Sequence, residues 1–152
     1  MRKVMLMMRL AALTMAMVLV GTAVAGPYDD AAAAYNRGDY ATALRLGQPL
    51  ANGGNPDAQC LIGFMHLTGN GVPQDYAEAM KWYRKAADQG DAIGQHNLGD
   101  IYVSGKGVPQ DYAEAGRWYR KAADQGNAGA QGNLGTMYAL SHGVPQDYGE
   151  AT

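Results

Sequence analysis

The sequence has 152 residues, of which 47% are hydrophobic and 17% are charged, which is enough apolar material for one packed domain. After the first 25 residues, nine basic residues stand against 14 acidic ones, and this formal net charge of −5 argues against nucleic acid and anionic membrane surfaces as partners. A single cysteine, Cys60, excludes a disulfide within the chain, so packing alone must stabilise the domain.

Residues 1–25 have the pattern of a cleavable signal peptide. Arg2, Lys3 and Arg9 precede an apolar run over residues 10–20, and residues 23–25, Ala-Val-Ala, form a small-x-small cleavage site. The apolar run is about half of the roughly 20 residues that span a bilayer. We therefore expect an exported protein, periplasmic or secreted, with no membrane anchor after cleavage.

Residues 27–54 are predicted to form a divergent helix pair. Two helical stretches, over residues 29–36 and 39–50, are separated by Arg37 and Gly38. The run from residue 34 to residue 44 resembles a tetratricopeptide helix pair. We interpret this pair as the N-terminal cap of a stack of helices.

The rest of the chain repeats with a period of 36 residues. The sequence GVPQDY begins at Gly71, Gly107 and Gly143, and residues 71–90 and 107–126 differ at two positions only. A fixed period of this length indicates stacked units that bury their apolar faces against their neighbours. The units are predicted at residues 55–90, 91–126 and, as a partial third repeat, 127–152.

Each repeat is predicted to contain two helices. The first helix begins near Asp57, Ala92 or Ala128, and the second begins at Asp75, Asp111 or Asp147. In the second helix, the aspartate is an N-cap and the glutamate three residues later completes a variant of the capping box. A glycine in the left-handed conformation closes that helix.

The first helices carry columns of matching residues on one side. Small residues in two of these columns predict a close approach of helix backbones. The four columns are Ala58/Gly94/Ala130, Ile62/Leu98/Leu134, Gly63/Gly99/Gly135 and His66/Tyr102/Tyr138.

These residues resemble the Sel1-like repeat family. The match in residues 94–126 comprises Leu98-Gly99, Tyr102, Gly105, Gly107-Val108, Asp111, Ala115, Trp118-Tyr119, Ala122-Ala123 and Gly126, with Gly94 departing from the family's alanine. Residues 58–90 are similar, with Ile62 and His66 as departures. The resemblance implies an all-α fold, an α/α solenoid of Sel1-like and tetratricopeptide-like helix pairs, that acts as a scaffold in protein complexes.

The pattern of reactive residues indicates no enzyme, no cofactor and no metal site. Ser104 and Ser141 lie outside the Gly-x-Ser-x-Gly and Ser-x-x-Lys motifs. Cys60 and His96 occupy equivalent columns of adjacent repeats, but a zinc site would need further ligands. The Trp-Tyr pairs at 82–83 and 118–119 are predicted to pack between helices.

The side of the first helices opposite the packing columns is predicted to be a concave binding face. A rotation of 100° per residue places the candidate partner-binding residues there: His96, Asn97, Asp100, Ser104, Asn133 and Thr136. This small, polar set suits an extended peptide, and a solvated face without a partner is the alternative. The equivalent residues of the first repeat, Cys60, Leu61, Phe64 and Thr68, are expected to be covered by the helix at 39–50.

Taken together, these features predict an exported bacterial scaffold that binds a protein or peptide of unknown identity. One alternative is a non-functional fragment of a longer Sel1-repeat protein, because the second helix of the last repeat stops at Thr152. That reading predicts poorly held residues from about 141 onward and self-association through the uncapped end. A hydrolase acting on cell-wall material is the other alternative.

Overall fold

The computed structural model describes residues 26–140 as seven α-helices with no strand among them. The helices are α1 (Pro27–Asn36), α2 (Tyr40–Asn52), α3 (Pro56–Thr68), α4 (Tyr76–Asp88), α5 (Ala92–Ser104), α6 (Tyr112–Asp124) and α7 (Ala128–Leu140). The predicted all-α architecture is therefore confirmed. The predicted signal peptide, the helix expected from Asp147 and the segment from residue 141 lie outside the described residues.

Every helix packs against the helices that precede and follow it in the chain, and the first helices of neighbouring repeats also touch. The apolar core is divided into clusters that cross the repeat boundaries. One cluster joins Tyr83 of α4, Leu98 and Ile101 of α5, and Trp118 of α6. Because each helix buries its apolar face only against its neighbours, the chain forms a solenoid, as the repeat period predicts.

The predicted N-caps are present at the second helices. The Asp75 carboxylate accepts a hydrogen bond from the backbone N–H of Glu78 at 2.9 Å, and the equivalent bond between Asp111 and Glu114 has the same length. The prediction of a capping box is wrong. The Glu78 carboxylate turns away from the cap and accepts a hydrogen bond from Lys81 at 2.9 Å, because residues three apart lie on the same helix face.

The predicted close approach of backbones is confirmed where a tyrosine lies across a glycine. A Cβ atom on Gly63 would lie 2.9 Å from the ring of Tyr83, and one on Gly99 would lie 2.4 Å from the ring of Tyr119. Gly135, in the same column, has no atom of residues 26–140 within 4 Å of such a Cβ. In this part of the chain, a tyrosine ring therefore packs densely against the first two glycines of the column.

The loop between α5 and α6 holds its shape through backbone contacts. Gly105 adopts a φ of 64°, in the left-handed region where glycine is favoured. The side-chain amide of Gln110 donates to the carbonyl oxygen of Val103 at 2.6 Å, and the N–H of Asp111 donates to the carbonyl oxygen of Tyr102 at 3.0 Å. These bonds fix the loop that carries Lys106 beside the site described next.

Candidate partner-binding groove

Two adjoining recesses lie along the predicted binding face. The first, of about 530 Å³, lies between α3 and α5 and is bordered by the loops that follow them. Its lining combines apolar and polar side chains: Phe64, Leu67, Thr68, Gln74, Tyr76, Tyr83, Asn97, Asp100, Ile101, Ser104 and Lys106. A recess of this volume lies within the range of ordinary ligand sites.

The second recess lies between α5 and α7 and has a volume of about 390 Å³. Its lining is more apolar than that of the first and consists of Asp100, Val103, Tyr112, Tyr119, Asn133, Thr136, Met137 and Leu140. Asp100 borders both recesses, so the two form one groove across α5. We call the two recesses together the groove.

Asp100 is held in position by two donors. Its Oδ1 atom accepts a hydrogen bond from the Tyr119 hydroxyl at 2.6 Å and another from the Asn133 amide at 3.1 Å. About half of the Asp100 side chain, 49%, remains exposed. The carboxylate is therefore oriented by the protein and still accessible to a ligand.

Tyr119 acts in this arrangement as a donor. Burial raises the pKa of its hydroxyl above the ordinary value, and the hydrogen bond to Asp100 raises the pKa further. The phenol consequently stays protonated at neutral pH and keeps donating to the carboxylate. Sequence reasoning assigned Tyr119 to the core and missed this contact, because the partner lies 19 residues away in the chain.

Of the six candidate residues, five line the groove and His96 does not. Asn97, Asp100 and Ser104 border the first recess, whereas Asp100, Asn133 and Thr136 border the second. The ring of His96 borders neither recess, and 22% of its side chain is exposed. Its Nε2 atom lies 3.2 Å from the Asn133 amide nitrogen, and its centroid lies 5.7 Å from that of Tyr119. His96 thus contacts two residues that surround Asp100.

The residues of the first repeat that were expected to be covered by the helix at 39–50 are covered only in part. Leu61 is buried against the N-terminal helix pair, as predicted, because it packs beside Gly47 of α2. The prediction that Phe64 and Thr68 are covered is wrong, because both side chains are exposed. Phe64 is 42% exposed, and its ring and that of Tyr35 meet in an edge-on arrangement at 5.8 Å between centroids. Phe64 thereby becomes an apolar wall of the first recess.

Cys60 lies away from the groove. The buried thiol donates to the Asp91 carboxylate at 3.3 Å, across the boundary between two repeats. Burial, together with the negative charge of Asp91, raises the pKa of the Cys60 thiol. The thiol therefore stays protonated and serves packing.

Tyr83 and Tyr119 occupy equivalent positions but have different surroundings. Phe64 stands in the first repeat where Asp100 stands in the second, so the buried Tyr83 hydroxyl has no hydrogen-bond partner within residues 26–140. Aligning the two repeats and asking what each tyrosine faces would have revealed this difference. The carboxylate that accepts this hydrogen bond is thus present in one repeat, although the tyrosine is present in both.

The described region, 26–140, contains no group of three or more His, Cys, Asp and Glu residues that could hold a metal ion. Within the same residues, no helix combines the length and the apolar character needed to cross a membrane.

The comparison with known proteins agrees with the helical architecture. A family model described as Sel1 repeat matches residues 56–91, 92–127 and 128–152. The crystal structure of a Sel1 repeat protein from Oxalobacter formigenes is similar, with a TM-score of 0.76 and 37% sequence identity, over 80% of this chain and 50% of that one. A protective antigen present in uropathogenic Escherichia coli strains, which displays an SLR fold, gives a TM-score of 0.72 and 40% identity over 79% of this chain and 27% of that one.

This chain therefore spans half or less of the length of these two relatives. No curated protein sequence matches it significantly. The family model covers more than half of the chain, and its matches begin where α3, α5 and α7 begin. The chain belongs to the Sel1 repeat family.

Proposed function

We propose that this protein is an exported bacterial scaffold that binds a protein or peptide partner in the groove and catalyses no reaction. The observation that carries the proposal is a difference in sequence variation: packing residues of the second helices recur in both complete repeats, whereas groove residues of the first helices differ. The Trp-Tyr pair is the same in both complete repeats, whereas Phe64, Asp100 and Thr136 occupy one column with three different chemistries. A solenoid whose packing residues repeat while its groove side chains vary is suited to recognising one particular partner.

The polar contacts of the groove support binding better than they support catalysis. The Tyr119 hydroxyl and the Asn133 amide are both directed at Asp100, and they orient its carboxylate. The raised pKa of Tyr119 makes this hydroxyl a poor nucleophile or base at neutral pH. Side chains that are already held in place lose little conformational entropy when a partner binds.

A site-specific photo-crosslinker tests the groove. Placed at Asn97, inside the first recess, it should trap a partner from an envelope extract of the native bacterium. The matched control carries the same crosslinker at Lys81, which is 69% exposed on α4 and outside the groove. Crosslinking that is equal at the two positions, or that is unchanged by Asp100→Ala, would contradict binding in the groove.

Export is tested separately. If the signal peptide is removed after residue 25, mass spectrometry of the protein from the periplasm or the medium should find a chain that begins at Gly26. A chain that keeps Met1 and remains in the cytoplasm would contradict export and would leave the binding proposal untouched.

A further inference from the structure

We infer that the groove selects an extended peptide that presents one basic side chain between two apolar side chains. The inference rests on the proposed binding function and adds the chemistry of the partner. The basic group would contact Asp100, and the apolar groups would occupy the recess on each side of it.

The central contact follows from the state of the Asp100 carboxylate. Both of its hydrogen bonds end at Oδ1, and Oδ2 makes no hydrogen bond to any residue within 26–140. Two basic side chains lie near the carboxylate, and neither is bonded to Oδ2. Lys106 lies at the border of the first recess with its ammonium over the ring of Tyr76, 5.6 Å from the centroid. The Nε2 atom of His96 lies 3.8 Å from Oδ1, the oxygen that Tyr119 and Asn133 already bond. An oriented carboxylate with a free oxygen favours a cationic partner.

The flanking contacts follow from the apolar walls. Three large hydrophobic side chains are exposed in the described part of the chain, and two of them line the groove, Phe64 at 42% and Leu140 at 57%. Phe64 belongs to the first recess and Leu140 to the second, so Asp100 lies between them. Because exposed apolar surface beside an ordered polar group is typical of binding sites, each recess is suited to an apolar side chain.

The order of these contacts fits an extended chain. In a strand, alternate residues point to the same side. The two recesses meet at Asp100, so side chains that enter them lie on either side of the group that contacts the carboxylate. Three such groups on one side of an extended peptide give the pattern apolar-x-basic-x-apolar. The net charge of −5 for residues 26–152 also favours the approach of a basic partner.

Fluorescence anisotropy with three labelled peptides tests the pattern. Each peptide has the sequence Leu-Ser-X-Ser-Leu with blocked ends, where X is arginine, norleucine or glutamate. We expect the arginine peptide to bind about three- to tenfold more tightly than the glutamate peptide at low ionic strength, with norleucine between them. The difference should narrow as salt is added, because the carboxylate is half exposed.

Variants assign the effect to Asp100. Asp100→Asn keeps an acceptor for Tyr119 and Asn133 but removes the charge, so it should make the arginine and glutamate peptides bind equally. Asp124→Asn makes the same change of charge outside the groove and should retain the preference. Phe64→Ala should weaken the binding of all three peptides by a similar factor and leave the order of their affinities unchanged.

The outcomes separate the inference from the proposed function. Equal affinity for the three peptides, or a preference for glutamate, which would point to Lys106, overturns the inference. If none of the peptides binds while a crosslinker at Asn97 still traps the native partner, the inference fails and the binding function stands. If the crosslinker traps nothing, the binding function fails, and the inference fails with it.

Discussion

Because Gly99 contacts the ring of Tyr119 and Gly135 does not, we predict that glycine-to-alanine substitution has opposite effects on stability at these two equivalent positions. In Gly99→Ala, the new Cβ atom would lie 2.4 Å from Cε1 and 2.5 Å from Cδ1 of the Tyr119 ring. Real Cβ atoms do not come so close, so the ring must move. Its movement lengthens the hydrogen bond of 2.6 Å to Asp100. In Gly135→Ala, the Cβ atom meets no atom of residues 26–140 within 4 Å.

The magnitudes follow from three effects. Overpacking of a close contact costs about 2 kcal/mol. A weakened hydrogen bond to a half-exposed carboxylate costs about 1 kcal/mol, and replacing a helical glycine by alanine returns about 1 kcal/mol. Gly99→Ala should therefore lower the free energy of unfolding by about 2 kcal/mol. In Gly135→Ala, the higher helix propensity of alanine is the only one of these three effects that applies, so the substitution should raise the free energy of unfolding by about 0.5–1 kcal/mol.

Thermal unfolding followed by circular dichroism measures both changes. For a domain of this size, about 4 °C corresponds to 1 kcal/mol, so Tm should fall by about 8 °C in Gly99→Ala and rise by about 2–4 °C in Gly135→Ala. Urea unfolding of the same variants provides an independent free energy. If the two variants shift Tm in the same direction, helix propensity governs both positions and the packing argument is wrong.

Three further predictions concern hydrogen bonds and protonation. Tyr119→Phe removes the donor to Asp100 and should lower the free energy of unfolding by about 1 kcal/mol. Tyr83→Phe removes a buried hydroxyl that has no hydrogen-bond partner among the described residues, and it should leave stability unchanged or higher. Equal losses in urea unfolding would contradict the assignment. Asp111→Ala removes the cap on the N–H of Glu114 and should cost about 1 kcal/mol, while Asp111→Ser should recover most of that loss in the same assay. The pKa values of Tyr83 and Tyr119 are raised in the folded chain, chiefly by burial, so the stability they contribute is complete below the unfolded pKa of about 10 and is lost as pH rises further. Unfolding measured from pH 9 upward should therefore show falling stability, with a shallower fall in Tyr119→Phe; a pH-independent free energy would refute this.

The helices and their order could be predicted from the sequence because their signals are local. Asp111 caps α6 by a bond to a residue three positions away, and Gly105 ends α5 within its own turn. Such contacts depend on spacing that the printed sequence shows directly. The choice of five of the six candidate residues, among them Asn97 and Thr136, also followed from helix geometry, because one rotation per residue assigns a face. Whether those residues bind a partner stays a prediction.

Other features required the tertiary structure because they depend on side chains that meet across helices. The sequence period alone makes Tyr83 and Tyr119 equivalent, yet in the region that the structure describes only Tyr119 has an acceptor, since Asp100 reaches it from α5. The helix at 39–50 was expected to cover Phe64, and helix geometry put His96 in the groove. Packing instead leaves Phe64 exposed in the first recess and places the His96 ring outside both recesses, in contact with Asn133.

By itself, then, the sequence determined the repeat, the helices and the face that they share, because hydrogen bonds and caps within a few residues specify each of them. The tertiary structure decided which side chains on that face are held, buried or accessible. Those outcomes depend on distances of a few ångströms between residues that lie 19 to 37 positions apart in the chain.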